Sequence, residues 1–411
     1  MSAYETELEK YEIEYIVHTE ERIDKYRPGG LHPVAIEDTF SNGRYTVYNK
    51  LGHGGSSTVW VALDESTDEW VAIKILTAER SRRSRELRSY QRLARLPQEL
   101  GLSTYFVQLR DHFFHQGPNG KHLCLVTELL GPRLPVVLEQ LGDKDTWLAP
   151  NIVLKVAQRL LEAIEVLHRA GFTHGVDLNM NNIVFTCRRL ASIEGGIWTE
   201  LTSHVSCKLV RRDGSPLSPS VPKEYVETEP WYDWNDEEFE EIKILDLGET
   251  FRQGQKRSPC TLPGECRAPE VIFEDSFDHR TDLWQAGCAI YMLVFHMFPF
   301  YAIGGDRDLV LTMMDILGDL PKEWIPRWEK IQQASIYSSG PLDPESANGR
   351  RPNPSIYYGT RKVPEETLRI LVPVIKGLLT YKRSSRLSAL EALQMLEKLK
   401  SEEGDGTPAL S

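Results

Sequence analysis

The stretch that most restricts this chain is Gly171-Phe-Thr-His-Gly-Val-Asp-Leu-Asn-Met-Asn-Asn-Ile-Val-Phe185, which places an aspartate five positions before an asparagine. Just upstream, Ile152, Val156, Leu160, Ile164 and Leu167 recur at helical spacing. Pro150 precedes that pattern and Gly171 ends it, as helix termini prefer. A loop delivered by such a helix can carry the two groups that phosphoryl transfer needs: a carboxylate to orient a hydroxyl and take its proton, and an amide oxygen to hold a metal. Asp177 and Asn182 supply both, and Ile183-Val184-Phe185 reads as the strand that follows. Aspartate and asparagine also fill ordinary turns. The loop alone therefore does not decide its own function; the order of its neighbours does.

Upstream, Tyr45 to Leu51 alternates like a strand, runs into Gly52-His-Gly-Gly-Ser-Ser-Thr58, and resumes at Val59 to Leu63. The result is a hairpin whose tip has little side chain, so backbone N–H groups can approach phosphate oxygens closely. Trp70 to Leu76 is a further strand, apolar but for Lys74. A lysine in a buried strand is costly unless paired; at a sheet edge it would simply face water. Ser84 to Leu96 reads as a helix with Leu87, Tyr90, Leu93 and Leu96 on one face and Pro97 as its stop. Glu86, at its start, is the natural partner for Lys74, with a local pair to Arg82 or Arg83 as the alternative. Phe106–Phe114 and His122–Leu130 read as a second hairpin, and Gly131-Pro132 marks a boundary.

Downstream, residues 186 to about 238 hold Gly195-Gly196, four prolines and an acidic run, and read as a spacer that is largely loop with room for one hairpin. Glu241 to Leu245 alternates as a strand and leaves into Asp246-Leu-Gly248, a turn that can present a carboxylate to a cation. Asp282 opens an apolar helix through Phe295, and Asp308–Leu317 and Glu365–Leu379 are further helical patterns. Residues 1 to about 25 are polar and read as a frayed arm or short helix.

Composition excludes some classes. With 60 acidic against 48 basic residues the net charge is −12, which disfavours a general nucleic-acid binder and suits a basic peptide partner. The six cysteines contain no CxxC pair and read as reduced intracellular thiols. The N-terminus shows no apolar signal region, and no stretch is long and apolar enough to span a bilayer.

In sequence order these pieces resemble the eukaryotic protein kinases. Gly52, Gly54 and Ser57 match the glycine-rich loop, and Lys74 the lysine of Val-Ala-Ile-Lys. Glu86 matches the helix-C glutamate, Asp246-Leu-Gly stands for Asp-Phe-Gly, Ala268-Pro-Glu270 matches Ala-Pro-Glu, and Arg386 is placed to pair with Glu270. Gly29-Gly-Leu-His-Pro-Val34, Ser57-Thr-Val-Trp60, Glu128-Leu-Leu-Gly131, Asp246-Leu-Gly248 and the spacer narrow the resemblance to the SR-protein kinases of the CMGC group, in particular their fungal relatives.

The resemblance implies an α+β bilobal fold, with a small, five-stranded antiparallel sheet and helix C above a larger, mainly helical lobe. Its expected divisions are an N-terminal extension at 1–43, an N-lobe at 44–130 and a C-lobe at 131–396. Within the C-lobe it expects the spacer at about 186–238 and a helical insert at about 301–362, with a tail at 397–411. It implies ATP between the lobes, against Leu51, Gly52, Gly54, Val59, Ala72, Lys74, Thr127, Glu128 and Leu130. It further implies Mg²⁺ on Asn182 and Asp246, with Asp177, Lys74 and Glu86 as the catalytic set. The expected protein is a monomer in the cytoplasm or nucleus, acting on serine in Arg/Ser-rich proteins, with no direct nucleic-acid or membrane contact. Asp306, Asp308, Asp315 and Asp319 are candidates for an acidic substrate groove, with a solvated helix face as the alternative.

Some residues depart from the pattern. His174 lies three residues before Asp177 where the family has two, so either one residue is inserted or Val176 stands at the catalytic position with Asn181 as the metal ligand. The spacing of Asp177 to Asn182 favours insertion. Asn179 replaces the lysine that would steady the transferred phosphoryl group. Pro263 to Cys266 lacks the hydroxyl and the arginine usual before Ala-Pro-Glu. These departures leave a pseudokinase, a nucleotide-binding scaffold, as the competing expectation. Ser258 and Thr261 are candidate phosphorylation sites.

Overall fold

A computed structural model describes residues 8–12, 20–143, 146–175, 177–187, 203–229, 231, 240–255, 257, 266–274, 276–300, 305–339 and 363–405. Val176, Ser258, Thr261 and Pro263 lie outside the described residues, as do 188–202 and 340–362. The chain divides into two compact units. One comprises Met1–Ala94, Val107–Pro132 and Phe185–Asp236; the other comprises Arg95–Phe106, Arg133–Val184 and Glu237–Ser411.

The first unit is built on an antiparallel sheet. After the short β1 (Tyr11–Glu12) come β2 (Thr39–Phe40), β3 (Tyr45–His53), β4 (Ser57–Asp64), β5 (Glu69–Leu76), β6 (Leu109–Gly117) and β7 (Gly120–Glu128), and the sheet order is β2-β3-β4-β5-β7-β6. Six strands replace the expected five, because Thr39–Phe40 pairs with the start of β3. One face of the sheet forms the core, from Tyr45, Val47, Trp60, Ala62, Val71, Ile73, Ile75, Cys124 and Val126. The strand period of two puts Val59, Ala72, Lys74 and Thr127 on the opposite face. Helix α1 (Ala78–Ser81) is followed by α2 (Arg85–Leu93), where the Ser84 hydroxyl caps the first turn by accepting from Leu87 N at 3.1 Å. α2 stops at Leu93, three residues short of the expected end.

Two segments expected to be loose are packed into this unit. Leu8, Tyr11, Ile23, Tyr26 and Leu31 are buried together with Cys207, Leu209, Val221 and Tyr225, so the described part of the N-terminal extension is not a frayed arm. Within the described part of the spacer, β10 (Ser206–Lys208) pairs with β12 (Glu224–Val226), and β11 (Val210–Arg211) pairs with β1. The spacer thus holds the antiparallel pair its sequence left room for and adds β11, whose partner lies far away in sequence.

The two are fastened to the sheet at Lys50. Its ammonium is fully buried and donates to Glu20 at 2.7 Å, to Glu21, and to the carbonyl of Val226 at 3.2 Å. Glu20 also accepts from the N–H and hydroxyl of Thr228, both at 2.9 Å. Burial raises the Glu20 pKa, but Lys50 and these hydrogen bonds outweigh it and hold the pKa below the usual carboxylate value.

The second unit is mainly helical. α3 (Leu102–Tyr105), α4 (Leu134–Asp143) and α5 (Pro150–Arg169) precede the candidate loop. α6 (Pro269–Phe273), α7 (Arg280–Phe295), α8 (Asp306–Leu317), α9 (Ile325–Ser339), α10 (Glu365–Leu378) and α11 (Ala389–Asp405) follow it. The apolar stripe read from the sequence of α5 is buried, and Gly171 terminates it at φ +78°, a conformation an L side chain rarely adopts. Arg386 and Glu270 form a fully buried ion pair, with Nη1 to Oε1 at 2.8 Å and further bonds from Arg386 to the carbonyls of Thr380 and Arg280. Cys124, Cys187, Cys207, Cys266 and Cys288 are all free of disulfides. Among the described residues no helix is long and apolar enough to cross a membrane.

Candidate active site

Chemistry-bearing residues assemble separately in each unit. In the first, strand register sets Gly52 opposite Val59, Val59 opposite Lys74 and Ala72 opposite Thr127. Gly52, Val59 and Lys74 therefore form one row across three strands. An added Cβ at Gly52, Gly54 or Gly55 would meet no described atom within 4 Å, so the hairpin tip is open to a close approach. Lys74 Nζ lies 2.9 Å from both Oε1 and Oε2 of Glu86, so the pair across strand and helix forms. The lysine side chain is 21% exposed and Glu86 9%. An amine held this way is oriented yet reachable by an anion. Gln108 N donates to Glu128 Oε1 at 2.8 Å, which fixes the end of β7 next to Leu130.

In the second unit, α5 and β8 (Phe172–Thr173) deliver the loop. His174 N and Gly175 N donate to the two carboxylate oxygens of buried Asp282 at 2.8 and 2.9 Å, and His168 Nε2 donates to the same group at 2.9 Å. Gly175 sits at φ +98°, and a Cβ there would lie 2.6 Å from the Glu249 carbonyl oxygen. Only glycine fits this position. Two residues later the chain closes a different ring. Asn182 Nδ2 donates to the Asp177 carbonyl at 2.8 Å, and Asn179 Nδ2 donates to Asp177 Oδ1 at 2.7 Å. Asn179 Oδ1 in turn accepts from Asn181 N at 2.9 Å. His174-Gly175 are thus held on Asp282, while Asp177 and Asn182 are held on each other, with one residue between the two groups.

Asn179, which stands where a lysine is expected, is an integral part of this loop. Its amide orients the Asp177 carboxylate but brings no positive charge. Asn182 turns its Nδ2 into the loop, which leaves its amide oxygen as the hard ligand atom it can offer a cation.

Asp246 is tied to the same loop through its neighbour. Leu245 N donates to the Asn182 carbonyl at 2.8 Å, and the Leu245 carbonyl accepts from His174 Nε2 at 3.0 Å. Asp246 itself adopts φ +54°, uncommon for a residue other than glycine, and its Oδ1 accepts from Gly248 N at 3.0 Å. An observed strained conformation that carries a carboxylate out of a strand, one residue after a backbone bond to Asn182, points to function. Carboxylate plus amide oxygen is the donor set a magnesium ion takes, so these residues fit that ion.

Elsewhere the picture is less uniform. Of the four aspartates considered for an acidic groove, Asp306 pairs with Arg267, and Asp308 lies 3.4 Å from Arg307. Among the described residues, one carboxylate and imidazole cluster, Glu20, Glu21 and His53, has ligand atoms within 4.8 Å of one another. Lys50 already occupies both of its carboxylates, so it is an ion cluster of the fold. The sequence reading missed Asp282 as the anchor of the loop; its signal was an acidic residue on an otherwise apolar helix, which burial forces to find partners.

The chain matches the family described as protein kinase domain over residues 45–205 and 233–396. It is similar to Protein kinase dsk1 of Schizosaccharomyces pombe, 36% identical over 176 residues, covering 42% of this chain and 32% of that protein. It is 26% identical over 391 residues to Serine/threonine-protein kinase SRPK of Physarum polycephalum, covering 91% of this chain and 90% of that one. Serine/threonine-protein kinase SKY1 of Saccharomyces cerevisiae is 32% identical over 184 residues, 43% of this chain and 24% of that protein.

Proposed function

This chain belongs to the protein kinase family, with relatives among the serine/threonine kinases of the SR-protein kinase type, and on that premise we propose that it transfers the γ-phosphoryl group of ATP to serine in Arg/Ser-rich proteins. The observation that carries the reading is the double tie of Leu245, which couples Asp246 to both His174 and Asn182.

Each residue then has a task. Asp177, its carboxylate oriented by Asn179, positions the substrate hydroxyl and accepts its proton as that oxygen bonds to the γ-phosphorus and the bond to the bridging oxygen of ADP breaks, releasing ADP. Lys74, held by Glu86, grips phosphate oxygens from the sheet side, and the open backbone at Gly52 lies along the same row. Leu51, Val59, Ala72, Thr127, Glu128 and Leu130 contact the nucleotide. Asn182 and Asp246 hold magnesium, which when bound neutralises charge on the phosphates. The net charge of −12 and the names of the relatives support a basic substrate.

The test is phosphate transfer from Mg-ATP to an Arg-Ser repeat peptide by the purified chain. Wild type is expected to phosphorylate serine, and Asp177→Ala to lower kcat by about 10²- to 10⁴-fold. Binding of Mg-ATP without transfer to any such peptide, or an Asp177→Ala variant as active as wild type, would overturn the reading.

A further inference from the structure

One region opposes the charge of the rest of the chain. Between Thr77 and Leu96 there are seven arginines, two glutamates and no lysine, in a protein of net charge −12. Arg80, Arg82, Arg83, Arg85, Arg88 and Arg92 are all exposed. Glu86, one of the two acids, is turned inward to Lys74, and Glu79 pairs with Arg27 at 3.3 Å. Among the described residues, Arg80, Arg82, Arg83 and Arg92 have no carboxylate within 4 Å.

This arrangement works against its own helix. Arg85, Arg88 and Arg92 repel one another at spacings of three, four and seven along α2. Arg82, Arg83 and Arg85 crowd its N-terminus, the end where the helix dipole already favours anions. A face that served only solubility would carry lysine as readily and would place cations at the other end. The exclusive use of arginine points to planar, bidentate recognition of oxyanions.

We propose that this arginine face of α2 is a docking surface for phosphoserine-bearing peptide, namely Arg/Ser-rich substrate whose serines are already phosphorylated. The proposal rests on the reading of the chain as a kinase for such proteins. Arg88 and Arg92, successive arginines of α2, are about 6 Å apart along the helix axis. Phosphoserines at alternate positions of an extended peptide recur about every 7 Å, so two of them reach successive arginines. RNA is the poorer fit. The exposed positions of the segment include no aromatic side chain for bases to stack on.

The experiment titrates the full chain, by fluorescence anisotropy, against a synthetic Arg-phosphoserine repeat peptide, its unphosphorylated form, and a single-stranded RNA of equal charge. The triple variant Arg82→Ala/Arg83→Ala/Arg92→Ala changes only exposed side chains and is expected to melt with wild type. The phosphopeptide should bind the variant at least tenfold more weakly than wild type. Transfer to a single-serine peptide should be unchanged. Equal phosphopeptide affinity of variant and wild type would overturn the proposal, as would RNA binding the patch more tightly than the phosphopeptide. Because the phosphates are supplied synthetically, a chain that transfers no phosphate would sink the kinase reading while leaving the docking result to be judged separately.

Discussion

Two lysines of the same sheet are held in opposite ways. Lys50 on β3 is wholly buried between two carboxylates and a backbone carbonyl, with no further donor left to offer. Lys74 on β5 is bonded to Glu86 and remains one-fifth exposed. The first is a fastener: it ties the N-terminal segment through Glu20 and Glu21, and the spacer through Val226, to the strand that leads into the glycine hairpin. The second is oriented by Glu86 and open to a ligand anion, as the role proposed for Lys74 requires. Satisfaction and burial, rather than the residue type or the strand, separate a structural lysine from a functional one.

The comparison breaks most sharply in Lys50→Met. Leaving Glu20 and Glu21 buried without their cation should cost about 3–5 kcal/mol of stability, read by urea unfolding. A loss below 1 kcal/mol would show that the two carboxylates reach water and that the fastening is weak. Lys74→Met should invert the pattern. Its expected cost is about 10²- to 10³-fold in kcat for phosphate transfer, with a stability change well below that of Lys50→Met. Equal destabilisation by both variants would erase the distinction.

The loop provides a third test. Asn179→Ala removes a neutral donor from Asp177, and a net hydrogen bond of this kind is worth about 1 kcal/mol, so kcat should fall roughly fivefold. An unchanged rate would mean that the Asp177 carboxylate is oriented by other groups.

A last test concerns the N-terminal segment again, through His32. Its ring lies with centroids 4.6 Å from that of His115 and 5.0 Å from that of His122, and burial, then these two neighbours, push its pKa down to about 3. The unfolded chain binds a proton at pH 6.5 that the folded chain refuses. Stability conferred by neutral His32 is therefore fully present above pH 6.5 and is lost as pH falls toward 3, by up to about 1.4 kcal/mol per pH unit. Glu20, with its lowered pKa, adds its own loss below its ordinary value of 4.5. His32→Phe should flatten the slope of urea stability between pH 6.5 and 4.5, and an unaltered slope would remove His32 as its source.

Much of this molecule could be read along the chain. Amphipathic α5, the strands around Lys74 and the turn at Asp246 are local patterns, set by side-chain periodicity and by where glycine and proline stand. The spacing of Asp177 to Asn182 is likewise local, because one amide reaches back across a single tight loop.

What could not be read locally depends on contacts between residues far apart in sequence. The order of residues left open whether the loop carries an inserted residue, and the bonds of His174 and Gly175 to Asp282, more than a hundred positions away, show how the chain before Asp177 is held. The same holds for the segments at both ends of the first unit. Polar, turn-rich sequence lacks a period of its own, so nothing in it says where strands fall; β1, β10, β11 and β12 exist because hydrogen-bonding edges meet in space. The sequence by itself therefore determined which residues have the chemistry to act and which local elements carry them. Tertiary structure decided which charges are buried with partners and which stay within reach of a ligand, since desolvation and pairing depend on neighbours that no local window contains.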